Sequence, residues 1–237
     1  MSNSEIFLDY YNMIDKFLKI DGRFETYITF TQKIKLNKKK VVRHFQEDLI
    51  SLGELRNAIV HNPKYGNKPI AEPHIETVER IKNIYEIISK PNKVFPEFKF
   101  DVLGANEEDF INNILIEMNK KSFSQFPVFD NNHNIIELIN TNSISRWLSL
   151  QLEEKGTILI EKVKIKDFIP HIEFKKNYKF ISKDNSIYDA YYLFINQINK
   201  KNRNLDVLFI TENGKEQEGL LGLITIEDIA NRIKHQA

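Results

Sequence analysis

The chain contains no cysteine, which excludes disulfides and thiolate metal sites and fits a reducing compartment. It has no surplus of one charge: 34 Lys and Arg against 33 Asp and Glu leave +1, which points to no acidic or basic partner. No apolar run approaches the roughly 20 residues that span a bilayer. The opening MSNSEIFLDYYN lacks the basic-then-apolar order of a secretory leader. The expectation is a soluble, cytoplasmic protein with no membrane partner. Proline is scarce, 7 in all, and none falls in the first sixty positions, so that stretch is free to be helical. No Gly-rich phosphate loop or Ser/His/Asp arrangement is present. His44, His74, His133, His171 and His235 show no metal-ligand spacing, so no metal is expected.

What is present is an ordinary globular composition. At 237 residues, with 41% hydrophobic and 28% charged, the chain can form one large core or two ordinary ones. Ile6, Phe7, Tyr10, Tyr11, Ile14, Phe17 and Leu18 recur at helical spacing, and Gly22 can stop that helix. FETYITFTQKIKL, from Phe24, predicts a second helix. VVRHFQEDLISLGELRNAIVH predicts a third, with Val42, Phe45, Leu49, Leu52, Leu55 and Ile59 inward. HNPKYGNKPIAEPH reads as a loop. IETVERIKNIYEIISK predicts a fourth helix through Val78, Ile81, Ile84, Tyr85 and Ile88.

SKPNKVFPEF breaks this pattern with two prolines. The expected domains are 1–92 and 97–237. Beyond the break a helix–strand–strand–helix unit occurs twice, at about 97–155 and 156–237. Ile139 corresponds to Ile224, and Val128 to Leu208. One unit alone leaves an apolar sheet face bare, so two are expected to pack their sheets together. The fold class is α+β: an all-α four-helix bundle followed by two such repeats.

Near the C-terminus stand Gly222, Ile224, Thr225 and Asp228. On its own, Thr225-x-x-Asp228 is a helix cap with an acidic residue in the first turn. Together with FSQFPVFD in the first copy, GLLGLITIEDIANRI resembles the paired halves of CBS domains, so the C-terminal part is similar to a tandem CBS pair, or Bateman module. The resemblance implies a groove for an adenosine-containing ligand: AMP, ADP, ATP, S-adenosylmethionine or a cyclic dinucleotide. Gly222, Ile224, Thr225 and Asp228 would bind it. A hydroxyl at a helix N-terminus suits phosphate, and a carboxylate one turn on can accept two ribose hydroxyls. The first copy departs from this pattern. Glu137, Asn140 and Ser143 stand for Gly222, Thr225 and Asp228, and its groove is expected to be weak, empty or changed.

ELRNAIVHN, at residues 54–62, carries Arg56, Asn57 and His61 late in the third helix. Asn57 and His61, four apart, share a face; Arg56 is turned by about 140° yet long enough to reach round. Arg, a polar residue, three variable residues and His resemble the signature of HEPN domains, helical bundles that often act on RNA. The resemblance implies a metal-independent endoribonuclease needing no cofactor. Arg56 would bind the scissile phosphate, His61 would act as base or acid, and Asn57 would orient it or hold a phosphate oxygen. One histidine cannot fill both proton-transfer roles, so a homodimer through this helix is expected. The expected partners are an adenosine-containing small molecule, single-stranded RNA and a second copy of the chain. The plainer alternative stays open: a regulator without catalysis, with Arg56 covering apolar surface, Asn57 capping a turn and His61 bonding terminal carbonyls. Asn37-Lys38-Lys39-Lys40 with Arg43 is either an RNA-backbone contact or a solvated helix start.

Overall fold

The first helix, α1 (Asn3–Asp21), opens at a capping box in which Ser2 accepts the Glu5 N–H and Glu5 accepts the Ser2 N–H. It buries Phe7, Tyr11, Ile14 and Leu18 on one face. The structure, a computed structural model, describes residues 1–61, 71–157, 163–201 and 203–234. Its chain forms two compact units, Met1–Asn92 with Ser186–Tyr192, and Lys93–Asn185 with Leu193–Ala237.

In the first unit, α2 (Phe30–Leu36) starts six positions after Phe24, a correction to the sequence reading. Thr29 is extended (φ −67°, ψ 158°) and closes a capping box with Gln32, so a helix cannot run through it. The third expected helix is two, α3 (Lys40–His44) and α4 (Gln46–His61). Phe45 leaves helical geometry between them (φ −93°, ψ 18°) while its ring stays in the core. α5 (Ile75–Ser89) buries Val78, Ile81, Ile84 and Ile88 and packs along α1. α4 lies against α1 and α2, and its Asp48 accepts two bonds from Arg80 of α5, at 3.2 and 2.7 Å. Among the described residues, this stretch therefore holds five helices where four are expected. Residues 62–70 of the expected loop, and His235, lie outside the described residues.

The second unit begins with a single turn, α6 (Val94–Glu97). The first copy follows as β1 (Ala105–Asn106), α7 (Ile111–Lys121), β2 (Gln125–Phe129), β3 (Ile135–Asn140) and α8 (Thr141–Lys155). After the short α9 (Ile165–Phe168) comes the second copy: β4 (Tyr178–Ser182), α10 (Ile187–Lys201), β5 (Val207–Thr211), β6 (Gly222–Ile224) and α11 (Ile226–Lys234). Residues 186–192, at the start of α10, group with the first unit. Each copy thus has a leading strand absent from the sequence reading. That strand pairs parallel with the middle strand, which pairs antiparallel with the third. A parallel partner needs a crossover, and α7 or α10 supplies it. The register also shifts one equivalence by two residues: Phe126 faces Ile139 as Leu208 faces Ile224.

Among the described residues, two buried clusters hold this unit. Ile111, Ile114 and Met118 of α7 pack with Phe126, Val128 and Trp147, and the Trp147 and Phe168 rings meet edge-on at 5.6 Å. Ile135 and Leu138 of β3 pack with Tyr178, Val207 and Phe209 of the other sheet. This second cluster is the shared sheet core that the paired repeat calls for. The class is mixed α+β.

Candidate functional site

Thr225 lies between β6 and α11, and Asp228 is in the first turn of that helix. Asp228 Oδ2 accepts both the Thr225 N–H and its hydroxyl, each at 2.8 Å. The roles differ from those expected. The carboxylate, not the threonine hydroxyl, closes the helix end, while Oδ1 takes no hydrogen bond among the described residues. Asp228 is exposed and Ile224 is fully buried beneath it.

The pair lines a cavity of about 430 Å3 within the second unit. Phe98, Phe100, Leu103, Phe123, Pro127 and Leu223 form its apolar wall, Ser122, Ser124 and Gln125 a polar one, and Lys99 is its cation. The Phe100 and Phe123 rings meet edge-on at 5.9 Å. Residues 98–100 reach this position by pairing with the β6 edge. Lys99 bridges Gly222, and the Phe100 N–H donates to the Leu221 carbonyl at 3.2 Å. A Cβ at position 222 would lie 2.0 Å from the Phe98 oxygen, so this close approach requires glycine. Phe98, Lys99 and Phe100 were missed in the sequence, where SKPNKVFPEF, ending at Phe98, reads only as a break.

The equivalent groove of the first copy is built differently. Glu137 stands at the glycine position, 2% exposed, and its carboxylate accepts the Lys176 N–H at 2.7 Å and the Leu138 N–H at 2.9 Å. A carboxylate thus holds the 174–176 segment where backbone pairing holds residues 98–100. Asn140 and Ser143 form a complete capping box, and the Asn140 amide donates to Asp206 at 2.9 Å. This groove, about 220 Å3, is lined mainly by polar residues, among them Arg146, Glu173, Asn177 and Arg203.

In the first unit the structure brings Arg56, Asn57 and His61 together at the end of α4. One guanidinium nitrogen, Nη1, donates to Asn57 Oδ1 at 3.2 Å and meets His61 Nε2 at 3.0 Å. A guanidinium has no acceptor, so Nε2 must accept and the ring proton sits on Nδ1. Asn57 and His61 are exposed and Arg56 half-buried. The Arg56 guanidinium lies 5.5 Å from the Tyr11 ring centroid, and Tyr11 itself packs on Phe30 at 4.5 Å. Burial, then the Asp15 charge, pushes the Tyr11 hydroxyl up to about 12, with Arg56 opposing. The sequence placed Tyr11 only in the core; its role as a platform for Arg56 depends on helix packing.

The basic run is largely engaged within its own unit. Lys39 pairs with Asp21 at 2.6 Å, and Lys40 and Arg43 lie over the Tyr192 ring at 5.7 and 5.2 Å. This geometry favours the helix-start reading over a free phosphate patch. Among the described residues no group of His, Asp and Glu could hold a metal ion, and no helix is long and apolar enough to cross a membrane.

No family model and no curated protein matches the sequence. Similar solved structures exist. A signal-transduction protein with CBS domains from Burkholderia ambifaria is 16% identical, with 56% of this chain and 82% of that chain covered, at TM-score 0.42. The CBS domain pair of protein MJ0100, in complex with 5′-methylthioadenosine and S-adenosyl-L-methionine, is 14% identical, covering 62% and 100%, at TM-score 0.45. The CBS domain of a membrane protein from Sphaerobacter thermophilus is 13% identical, covering 66% and 96%, at TM-score 0.46.

Proposed function

We propose that the chain is a nucleotide-sensing regulatory protein whose C-terminal repeats form a CBS pair, residues 97–237, and whose N-terminal part, residues 1–92, is a HEPN-type metal-independent endoribonuclease under its control. The observation that carries the sensing half is the groove at Thr225 and Asp228. The apolar wall suits an adenine ring, Asp228 Oδ1, which takes no hydrogen bond among the described residues, suits a ribose hydroxyl, and Lys99 suits phosphate. Gly222 lets residues 98–100 approach the β6 edge, and Ile224 is buried behind the lining.

The nuclease half rests on the cluster at the α4 end. Phosphate arriving at Arg56 competes for the Nη1 donor and frees Nε2 of His61. A neutral Nε2 with its lone pair available is the form a base needs to take the 2′-hydroxyl proton. The guanidinium then faces the charge that develops on phosphorus. The leaving 5′-oxygen needs a proton donor as well, which a second chain's His61 supplies in a two-fold homodimer. Control follows if the ligand prefers one dimer arrangement over another.

One observation favours a second reading, a nucleotide-binding regulator without catalysis. Arg56 already satisfies Asn57 and His61 and rests on Tyr11, which is also what a structural staple at a helix end requires. The readings separate by incubating the protein and its His61→Ala variant with single-stranded RNA in chelator, with and without adenine nucleotides. Cleavage that disappears in the variant and responds to nucleotide is expected. No cleavage by either, or equal cleavage by both, removes the nuclease. For the sensor, AMP, ATP, S-adenosylmethionine and a cyclic dinucleotide are tested by thermal shift, and the stabilising ligand should lose its effect in Asp228→Ala.

A further inference from the structure

We infer that the groove of the first copy is a second binding site, specific for a small phosphate-type anion that carries no nucleoside. Its walls argue against an adenosine ligand. The carboxylate position one turn into the helix is Ser143, and its hydroxyl is committed to the cap, donating to the Asn140 carbonyl at 2.7 Å and accepting the Asn140 N–H at 3.1 Å. The cavity is about 220 Å3, against about 430 Å3 for the other groove. Phe174, the ring a base would stack on, is occupied: the Arg203 guanidinium lies 4.2 Å from its centroid and that of Arg146 5.8 Å.

The same two arginines make the case for an anion. Arg203 gives Nη2 to Asn177 Oδ1 at 2.9 Å, but its Nε is buried without a hydrogen-bond partner among the described residues. A buried guanidinium N–H without an acceptor is a standing cost that an oxyanion would remove. Arg146 pairs with Glu173, and both side chains are about half-exposed, so this bond can exchange for a ligand oxygen. Two planar donor forks against one ring suit a tetrahedral oxyanion accepting from both. Asp206, tied to Asn140, and Glu173 balance the two arginines. The site is therefore not positive enough for a polyphosphate, and a single phosphate-type group is the match.

This inference rests on neither the adenosine groove nor the nuclease, and its test keeps them apart. The full chain is titrated with inorganic phosphate at constant ionic strength by isothermal calorimetry. Saturable phosphate binding that includes one site dependent on Arg203 and Arg146 is expected. Arg203→Gln should weaken it about tenfold or more, while Lys120→Gln, at an exposed lysine paired with Glu117 outside both grooves, binds phosphate as the parent does. Circular dichroism confirms that the Arg203 variant is folded, and Arg146→Gln, at an exposed position, should weaken binding if it is not. No saturable binding by the parent, unchanged affinity in the arginine variants, or loss in Lys120→Gln would overturn the assignment.

Discussion

A methyl group added at position 222 would sit 2.0 Å from the Phe98 carbonyl oxygen, which is backbone and cannot swing aside. Gly222→Ala must therefore push residues 98–100 off the β6 edge, at a cost of about 1–3 kcal/mol. The variant should melt lower and lose its response to adenine nucleotides, since Phe98, Lys99 and Phe100 line that groove. A lower melting point with the ligand response intact would place the ligand elsewhere. His44 makes a different residue-scale prediction. Its ring lies 5.0 Å from the rings of Phe45 and Tyr188 and 6.0 Å from Tyr191. Burial lowers its pKa, with Asp48 opposing. A histidine whose pKa falls on folding takes its proton first in the unfolded chain. Its contribution is thus complete above about pH 6.5 and is lost as pH falls below that value. Urea midpoints measured from pH 8 to pH 5 should fall less steeply in His44→Phe than in the parent. Parallel profiles would show that His44 does not titrate across folding in this range.

At the level of elements, side chains at helix ends decide boundaries that apolar spacing leaves open. Thr29 starts α2 by accepting the Gln32 N–H at 3.2 Å, and Thr29→Ala should cost about 1 kcal/mol, read as a lower denaturant midpoint at unchanged slope. A loss well below that would mean the helix starts as readily without its cap. This cap also explains the misplaced start. Phe24, Tyr27 and Ile28 continue an apolar rhythm, yet residues 24–29 are not helical and Thr29 is extended. α1 and α5 were legible because their buried residues follow one face, and in α1 the start at Ser2 and the stop at Gly22 agree with it. The leading strands were not. Ala105 and Asn106 are too few to show a period, and in Tyr178–Ser182 the apolar residues fall at 178, 180 and 181, an incomplete alternation. The groove at Thr225 and Asp228 was half legible: those two lie close together in the chain, whereas Phe98 and Lys99 reach it only through pairing with β6. Glu137 looked like a lost glycine, because its acceptor role depends on the Lys176 amide, which is distant in sequence. Arg56 could be expected to reach Asn57 and His61, since helix spacing alone sets that reach. Its Tyr11 platform needed the packing of α4 against α1.

For the whole molecule, the proposed chemistry demands more than one chain. Transesterification of RNA without metal needs one group to take the 2′-hydroxyl proton and another to protonate the leaving oxygen. In one chain, Arg56 organises a single imidazole, His61. Two chains related by a two-fold axis place two such clusters at one site, each supplying a role the other cannot fill. This differs from a dimer of independent sites in a measurable way. Parent and His61→Ala chains carrying different affinity tags are co-expressed, and the hybrid holding one of each is isolated by successive captures. A composite site leaves that hybrid at the background of the doubly substituted dimer. Independent sites would leave it about half the parent activity. An active hybrid therefore removes the shared site even if RNA is cut. A chain that sediments as a monomer at assay concentration while cutting RNA removes it as well. In an inactive hybrid, restoring histidine at position 61 of the second chain should recover full activity, because no other group is missing.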